Sequence, residues 1–272
     1  MSLLDWLGFE FVRNALLAMA LLAAFYPLLG VYVVGQRVAY FGDAVAHSAF
    51  VGAALAAILG WQMGSVLLIT APLFALLIAW FQQRTNLPTD VLLVVAITSV
   101  SAAGIALVSL LETPLSLSAL LFGDLLAIDR SDLWRLLGVD CIGVAMLLLL
   151  SRPLIRIGFH RELAQAQGVP VRAVETLFLV GLALVVAVGI RAVGILPISA
   201  LLVLPAATAR TLSHSFRGML FASAGIGWLC LIVGFGLALW QPIPPGAAVA
   251  LVATMLFILT AGVAPLRKEH GW

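Results

Sequence analysis

Apolar residues run in long stretches at about 11–34, 42–59, 64–81, 90–111, 134–151, 174–190, 194–211, 217–240 and 246–264, parted by short polar intervals. Each stretch holds roughly 18 residues or more, enough for an α-helix to cross the hydrocarbon of a bilayer. The run 115–127, LSLSALLFGDLLA, is shorter and interrupted by Ser116, Ser118 and Asp124, so it reads as a re-entrant or interfacial piece. The pattern predicts an all-α, polytopic transmembrane bundle of about eight or nine spanning helices plus that extra segment.

Composition strengthens this reading. Of 272 residues, 64% are hydrophobic and 10% charged, more apolar surface than a water-soluble fold of this size can hide. The longest polar interval, Arg152 to Glu175, is too short to enclose a core, so residues 1–272 are expected to form one membrane domain. The N-terminus carries Asp5 and Glu10 where a signal peptide carries Lys or Arg, and reads as a retained interfacial lead-in. Cys141 and Cys230 lie in apolar helix and read as small hydrophobes rather than a disulfide.

Charge supplies an orientation. With the C-terminus in the cytoplasm, Arg37, Arg84, Arg152, Arg156, Arg161, Arg172, Arg210, Arg217, Arg267 and Lys268 fall inside, against Arg13, Arg130, Arg135 and Arg191 outside or in the membrane. The formal net charge is only +2 and the basic residues are scattered, which gives no reason to expect a nucleic-acid partner.

One stretch, YFGDAVAHSAF at 40–50, places Asp43 and His47 a single helical turn apart within otherwise apolar sequence. Burying an Asp in a spanning helix costs roughly 2.5 to 3.5 kcal/mol on insertion scales, so the pair needs a cavity, a partner or an ion. A structural reading has Asp43 capping its helix and His47 bonded to a neighbouring one. A functional reading uses carboxylate oxygen and neutral imidazole nitrogen as ligands to a first-row divalent metal in transit. Two ligands fall short of the usual four of a structural zinc site, which suits an ion that must also leave. Gly42, Ala46, Ala49, Ala53 and Ala56 form an adjacent small-residue stripe for close helix packing.

Other polar residues are weaker candidates. Asp124 either lines the outer mouth and attracts cations or caps a broken helix. Arg191 would repel a dication in the pore and is expected to anchor at the interface or pair with an outer acid. His160 and His214 read as solvated. The chain has no phosphate-binding G-x-x-x-x-G-K-[ST] loop, so it is not expected to hydrolyse ATP itself. Between two spans, residues 162–167 suit a short cytoplasmic helix, with Gly168 ending it and Pro170 opening the next element. Such a knob either docks on a soluble partner or merely connects.

Four fragments, RVAYFGDAVAHSAFVG, LLFGDLLAI, RELAQAQGVPVRAVE and SALLVLPAATAR, occur in order within about Asn14 to Val263 and resemble the membrane subunit of bacterial ABC importers for zinc, manganese and iron. The first, second and fourth are most similar to the zinc permeases of Gram-negative bacteria. The resemblance implies a type II importer-like fold in the bacterial inner membrane. It implies a second copy of the permease, two cytoplasmic ATPase subunits that bind the ATP, and a periplasmic metal-binding protein, with lipid around the bundle. It carries the metal-contacting positions onto Asp43 and His47. It places an ATPase-coupling helix around Arg161, Glu162, Gln165, Gly168 and Val169. No permanently bound cofactor is implied; the cargo is Zn2+, with Mn2+ or Fe2+ as alternatives. An ion-coupled secondary carrier and an intramembrane metalloenzyme are the rival classes, the latter lacking H-E-x-x-H and a third histidine at depth. A siderophore or cobalamin cargo would leave Asp43 and His47 unexplained.

Overall fold

The computed structural model describes residues 9–85, 87–111, 121–123 and 128–263. The N-terminal lead-in, Asp124, most of the 115–127 run and the C-terminal tail lie outside these residues.

Among the described residues ten helices follow one another: α1 (Glu10–Gly35), α2 (Ala39–Leu59), α3 (Met63–Arg84), α4 (Thr89–Leu110), α5 (Arg130–Phe159), α6 (Arg161–Ala166), α7 (Val171–Val193), α8 (Ile195–Leu212), α9 (Phe216–Trp240) and α10 (Pro245–Val263). All but α6 are long and apolar enough to cross a membrane, which makes nine such helices among the described residues. They correspond one for one to the apolar stretches of the sequence.

Burial orders the bundle. Tyr26, Leu22 and Leu29 of α1, Phe41 of α2, and Leu182 and Ile190 of α7 are enclosed, whereas α4 and α10 keep mostly outward apolar faces such as Val94, Val95, Ile258 and Leu259. Without water to drive helices together in lipid, packing and a few interhelical hydrogen bonds must hold the bundle. The Tyr26 hydroxyl donates to the Val185 carbonyl at 2.6 Å, Ser223 to the Pro27 carbonyl at 2.7 Å, and Gln36 to the Leu154 carbonyl at 2.7 Å. These three bonds tie α1 to α7, α9 and α5.

The largest departure from the sequence pattern is α5, which begins before and ends beyond its apolar run. At its start the Asp129 carboxylate accepts the Asp132 N–H at 2.8 Å and the Ser131 hydroxyl at 2.9 Å, an N-cap that begins the helix in polar surroundings. The Asp132 backbone N–H, with Ser131 beside it, also holds the Asp129 carboxyl below its ordinary pKa. At its end Leu154 and Ile157 are buried, so packing carries the helix past Arg152 and Pro153 after hydropathy has dropped.

An outer clasp joins three elements. Asp132 of α5 receives Arg191 of α7 at 2.9 Å and Arg135 at 3.5 Å, and Arg135 donates to Gln62, just before α3, at 2.8 Å. Arg191 is thus paired with an outer acid, as its position suggested. Asp132 is only 9% exposed while Arg191 is 38% exposed, so the coupling should lie at the upper end of the range for surface pairs. We expect a double-mutant cycle on Asp132→Ala and Arg191→Ala, read by thermal unfolding of the purified protein, to give about 1 kcal/mol of coupling. Additive effects would show that the clasp contributes nothing.

Candidate functional site

The site is built on α2. This helix starts at Ala39 with Val38 as its N-cap, and no side chain caps it. Asp43 therefore lies inside the helix rather than at its start, and its carboxylate is not needed as a cap. At 1.5 Å per residue it stands about 6 Å above Ala39 and His47 about 12 Å. In the orientation drawn from the arginines, both occupy the cytoplasmic half of the span.

Both side chains are half-buried, whereas their helix neighbours Ala44, Val45, Ala46, Ala49 and Phe50 are enclosed. The small stripe is buried as its composition suggested. Gly42 faces Leu202 and Ser199 of α8, and Gly52 faces Leu67 and Thr70 of α3.

The polar side of α2 meets α4. His47 Nδ1 lies 2.9 Å from the Ser101 hydroxyl, and the Phe50 ring stands 5.9 Å from the imidazole at a tilted angle. Gly104 explains why α4 comes this near: a Cβ there would overlap the Phe50 Cβ and crowd the Val51 backbone. His47 to Ser101 and Phe50 to Gly104 are each three residues further along on both helices, so α2 and α4 run in the same direction. The histidine bond foreseen in the structural reading is present, to a hydroxyl. The hydroxyl occupies Nδ1, and Nε2 has no hydrogen-bond partner among the described residues; the tautomer decides which nitrogen carries the proton.

Asp43 has no hydrogen bond or ion pair among the described residues, which leaves its oxygens available as donors to a cation. No group of three His, Cys, Asp or Glu side chains gathers within metal-binding distance among those residues. One oxygen face and one nitrogen are what this chain offers on α2. Were a metal ion held here, water, another helix or a second chain would complete its coordination shell.

Ser101 was missed by sequence reading, because a serine in a spanning helix carries no pattern of its own. Asp140 was also missed, although an Asp inside the run 134–151 was visible. It is 5% exposed, neither carboxylate oxygen has a partner among the described residues, and it sits one turn before Gly143, which packs on Phe25 of α1 and Val185 of α7. Asp140 is not grouped with Asp43 and His47.

At the end of the bundle that the arginines assign to the cytoplasm, α6 (Arg161–Ala166) forms close to where it was expected. The Gly168 N–H donates to the Gln165 carbonyl at 3.0 Å and the Val169 N–H to Ala164 at 3.1 Å, with Gly168 at φ +81, a glycine-ended helix stop. Arg161 pairs with Glu175 at 2.7 Å and fixes α6 against the start of α7. Only Ala164 of α6 is buried; Glu162, Leu163, Gln165 and Gly168 are exposed. Beside it lies a cavity of about 620 Å³ lined by Arg37, Gln82, Asp90, Arg161, Arg172 and Glu175. Of the residues singled out around α6, Arg161, Glu162, Gln165 and Gly168 are exposed, whereas Val169 is partly buried and packs against the core.

A family model described as the ABC 3 transport family matches residues 8–264. The chain belongs to that family. It is 30% identical over 260 residues to the manganese transport system membrane protein MntC of Halalkalibacterium halodurans, covering 95% of this chain and 89% of that one. It is 31% identical over 259 residues to the high-affinity zinc uptake system membrane protein ZnuB of Haemophilus influenzae, covering 93% and 97%. Its fold is similar to a chain in PsaBC from Streptococcus pneumoniae in complex with Fab, with a TM-score of 0.84, 26% identity, and coverage of 98% and 96%. These likenesses and the nine apolar helices make it a multi-pass bacterial membrane protein.

Proposed function

We propose that the chain is the permease subunit of an ATP-binding cassette importer that carries a divalent first-row metal ion from periplasm to cytoplasm across the bacterial inner membrane. The observation that carries this reading is the Asp43–His47 pair on α2: a carboxylate with no hydrogen bond or ion pair among the described residues, one turn from an imidazole whose Nδ1 lies 2.9 Å from the Ser101 hydroxyl. Relatives of this chain bear names for both manganese and zinc. An Asp/His pair suits either ion, so zinc, favoured by the wording of the sequence, is the first to test.

In this reading two permeases assemble with two ATPase subunits and receive the ion from a periplasmic binding protein. The ion loses part of its water shell to Asp43 and His47. ATP-driven closure of the ATPases reaches the bundle through α6 and switches which side of the pathway is open. A site of few protein ligands holds the ion long enough to commit it and releases it when the helices shift.

Uptake of radioactive Zn2+ and Mn2+ into proteoliposomes carrying the permease, its ATPase and the binding protein tests the proposal. ATP-dependent uptake of one or both is expected. Uptake by the permease alone, without any ATPase, would favour a secondary carrier and overturn the reading.

A further inference from the structure

The structure gives Ser101 a task that no motif announces. Neutral imidazole has one N–H and one lone pair, and only the nitrogen with the lone pair can bind a cation. If the Ser101 hydroxyl donates to Nδ1, the ring proton sits on Nε2 and His47 is closed to the ion. If instead Nδ1–H donates to the Ser101 oxygen, the Nε2 lone pair is open. The hydroxyl proton then needs another acceptor, and a serine in a helix has one in the carbonyl a turn back. Thr98, on the same helix, makes such a bond to the Val94 carbonyl at 2.9 Å; Ser101 is bonded to His47 alone among the described residues, so its side chain would have to turn to reach that acceptor.

We infer that Ser101 is a positioning residue for the cargo site: it accepts the Nδ1 proton of His47 and thereby fixes the tautomer that presents Nε2 to the metal ion. This inference rests on the reading of Asp43 and His47 as ligands. The hydroxyl is part-buried at 2.9 Å, and the ring is bounded by Phe50 on its own helix. Gly104, one turn beyond Ser101, permits the close approach of α4 that brings the two groups within reach. Metal-ligating histidines commonly have an outer partner on the second nitrogen, and loss of such partners typically lowers metal affinity 10–100-fold. Because Ser101 comes from α4 and the ligands from α2, a shift between these helices would change the open nitrogen. Delivery and release of the ion would then be tied to helix packing.

The test uses the assembled importer with Ser101→Ala and Ser101→Thr, and two readouts. In Zn2+ uptake, Ser101→Ala should raise the apparent KM roughly 10-fold or more, whereas Ser101→Thr, which keeps the hydroxyl, should stay near wild type. In 15N spectra of histidine-labelled protein, with the His47 signal assigned by its loss in His47→Gln among only four histidines, Zn2+ should leave the proton on Nδ1 in wild type. Ser101→Ala without metal should show a different tautomer ratio. An unchanged KM and an unchanged tautomer ratio in Ser101→Ala, with His47→Ala inactive, would overturn the positioning role alone. Full uptake by His47→Ala would overturn the ligand reading, and this inference with it.

Discussion

Asp43→Ala and His47→Ala should each abolish metal uptake by the assembled importer while leaving the complex with its ATPase intact. The expected loss exceeds the roughly 10–100-fold attached to outer-sphere partners of a metal ligand, because here the ligand itself is removed. Asp43 has no structural role on view: it does not cap α2, and it has no hydrogen-bond partner among the described residues. His47 makes one bond, to Ser101, and loses little packing when truncated because the ring is only half-buried. A fold-wide collapse is therefore not the expected outcome, and co-purification with the ATPase checks this directly. Asp43→Asn separates charge from shape: it keeps an oxygen donor and removes the negative charge, and uptake should still fall sharply. Wild-type uptake by both alanine variants would refute the assignment.

The second large effect belongs to α6. Replacing 162–169 with a flexible Gly/Ser segment should leave ATP hydrolysis running while transport per ATP falls by about 5–150-fold, the span of a coupling free energy of roughly 1–3 kcal/mol. The reason is geometric. Helix α6 exposes Glu162, Leu163 and Gln165, is stopped by Gly168, and is fastened to α7 by the 2.7 Å bond between Arg161 and Glu175. A push on its exposed face would reach a core helix through that ion pair and the turn at Val169–Pro170. Arg161→Ala alone should give a smaller loss in the same direction, since the arginine side of that pair is largely solvent-exposed. Unchanged transport per ATP in the segment replacement would remove the docking role.

The membrane class was legible because hydrocarbon sets helix length: stretches of roughly 18 apolar residues have few alternatives to spanning. Helix ends were less legible. Hydropathy reports where lipid stops, while α5 continues to Phe159 on buried Leu154 and Ile157 and starts early on the Asp129 cap. The Asp43–His47 pair was visible because charge in an apolar helix is costly. Ser101 was not, since a lone hydroxyl satisfies itself on its own helix in most places and gains meaning only when Gly104 lets α4 approach α2. Asp140 should have been noticed by the same cost argument that singled out Asp43. It lacked a second polar residue one turn away to draw attention to it.

The central claim is that a transported dication rests against Asp43 and His47. Anomalous scattering from the full complex, loaded with Zn2+ and arrested with a hydrolysis-deficient ATPase, locates that ion directly. A peak at about 2.0–2.2 Å from an Asp43 carboxylate oxygen and about 2.0–2.1 Å from His47 Nε2 is the expected result. An ion held elsewhere in the membrane domain, with both side chains out of reach, would contradict it.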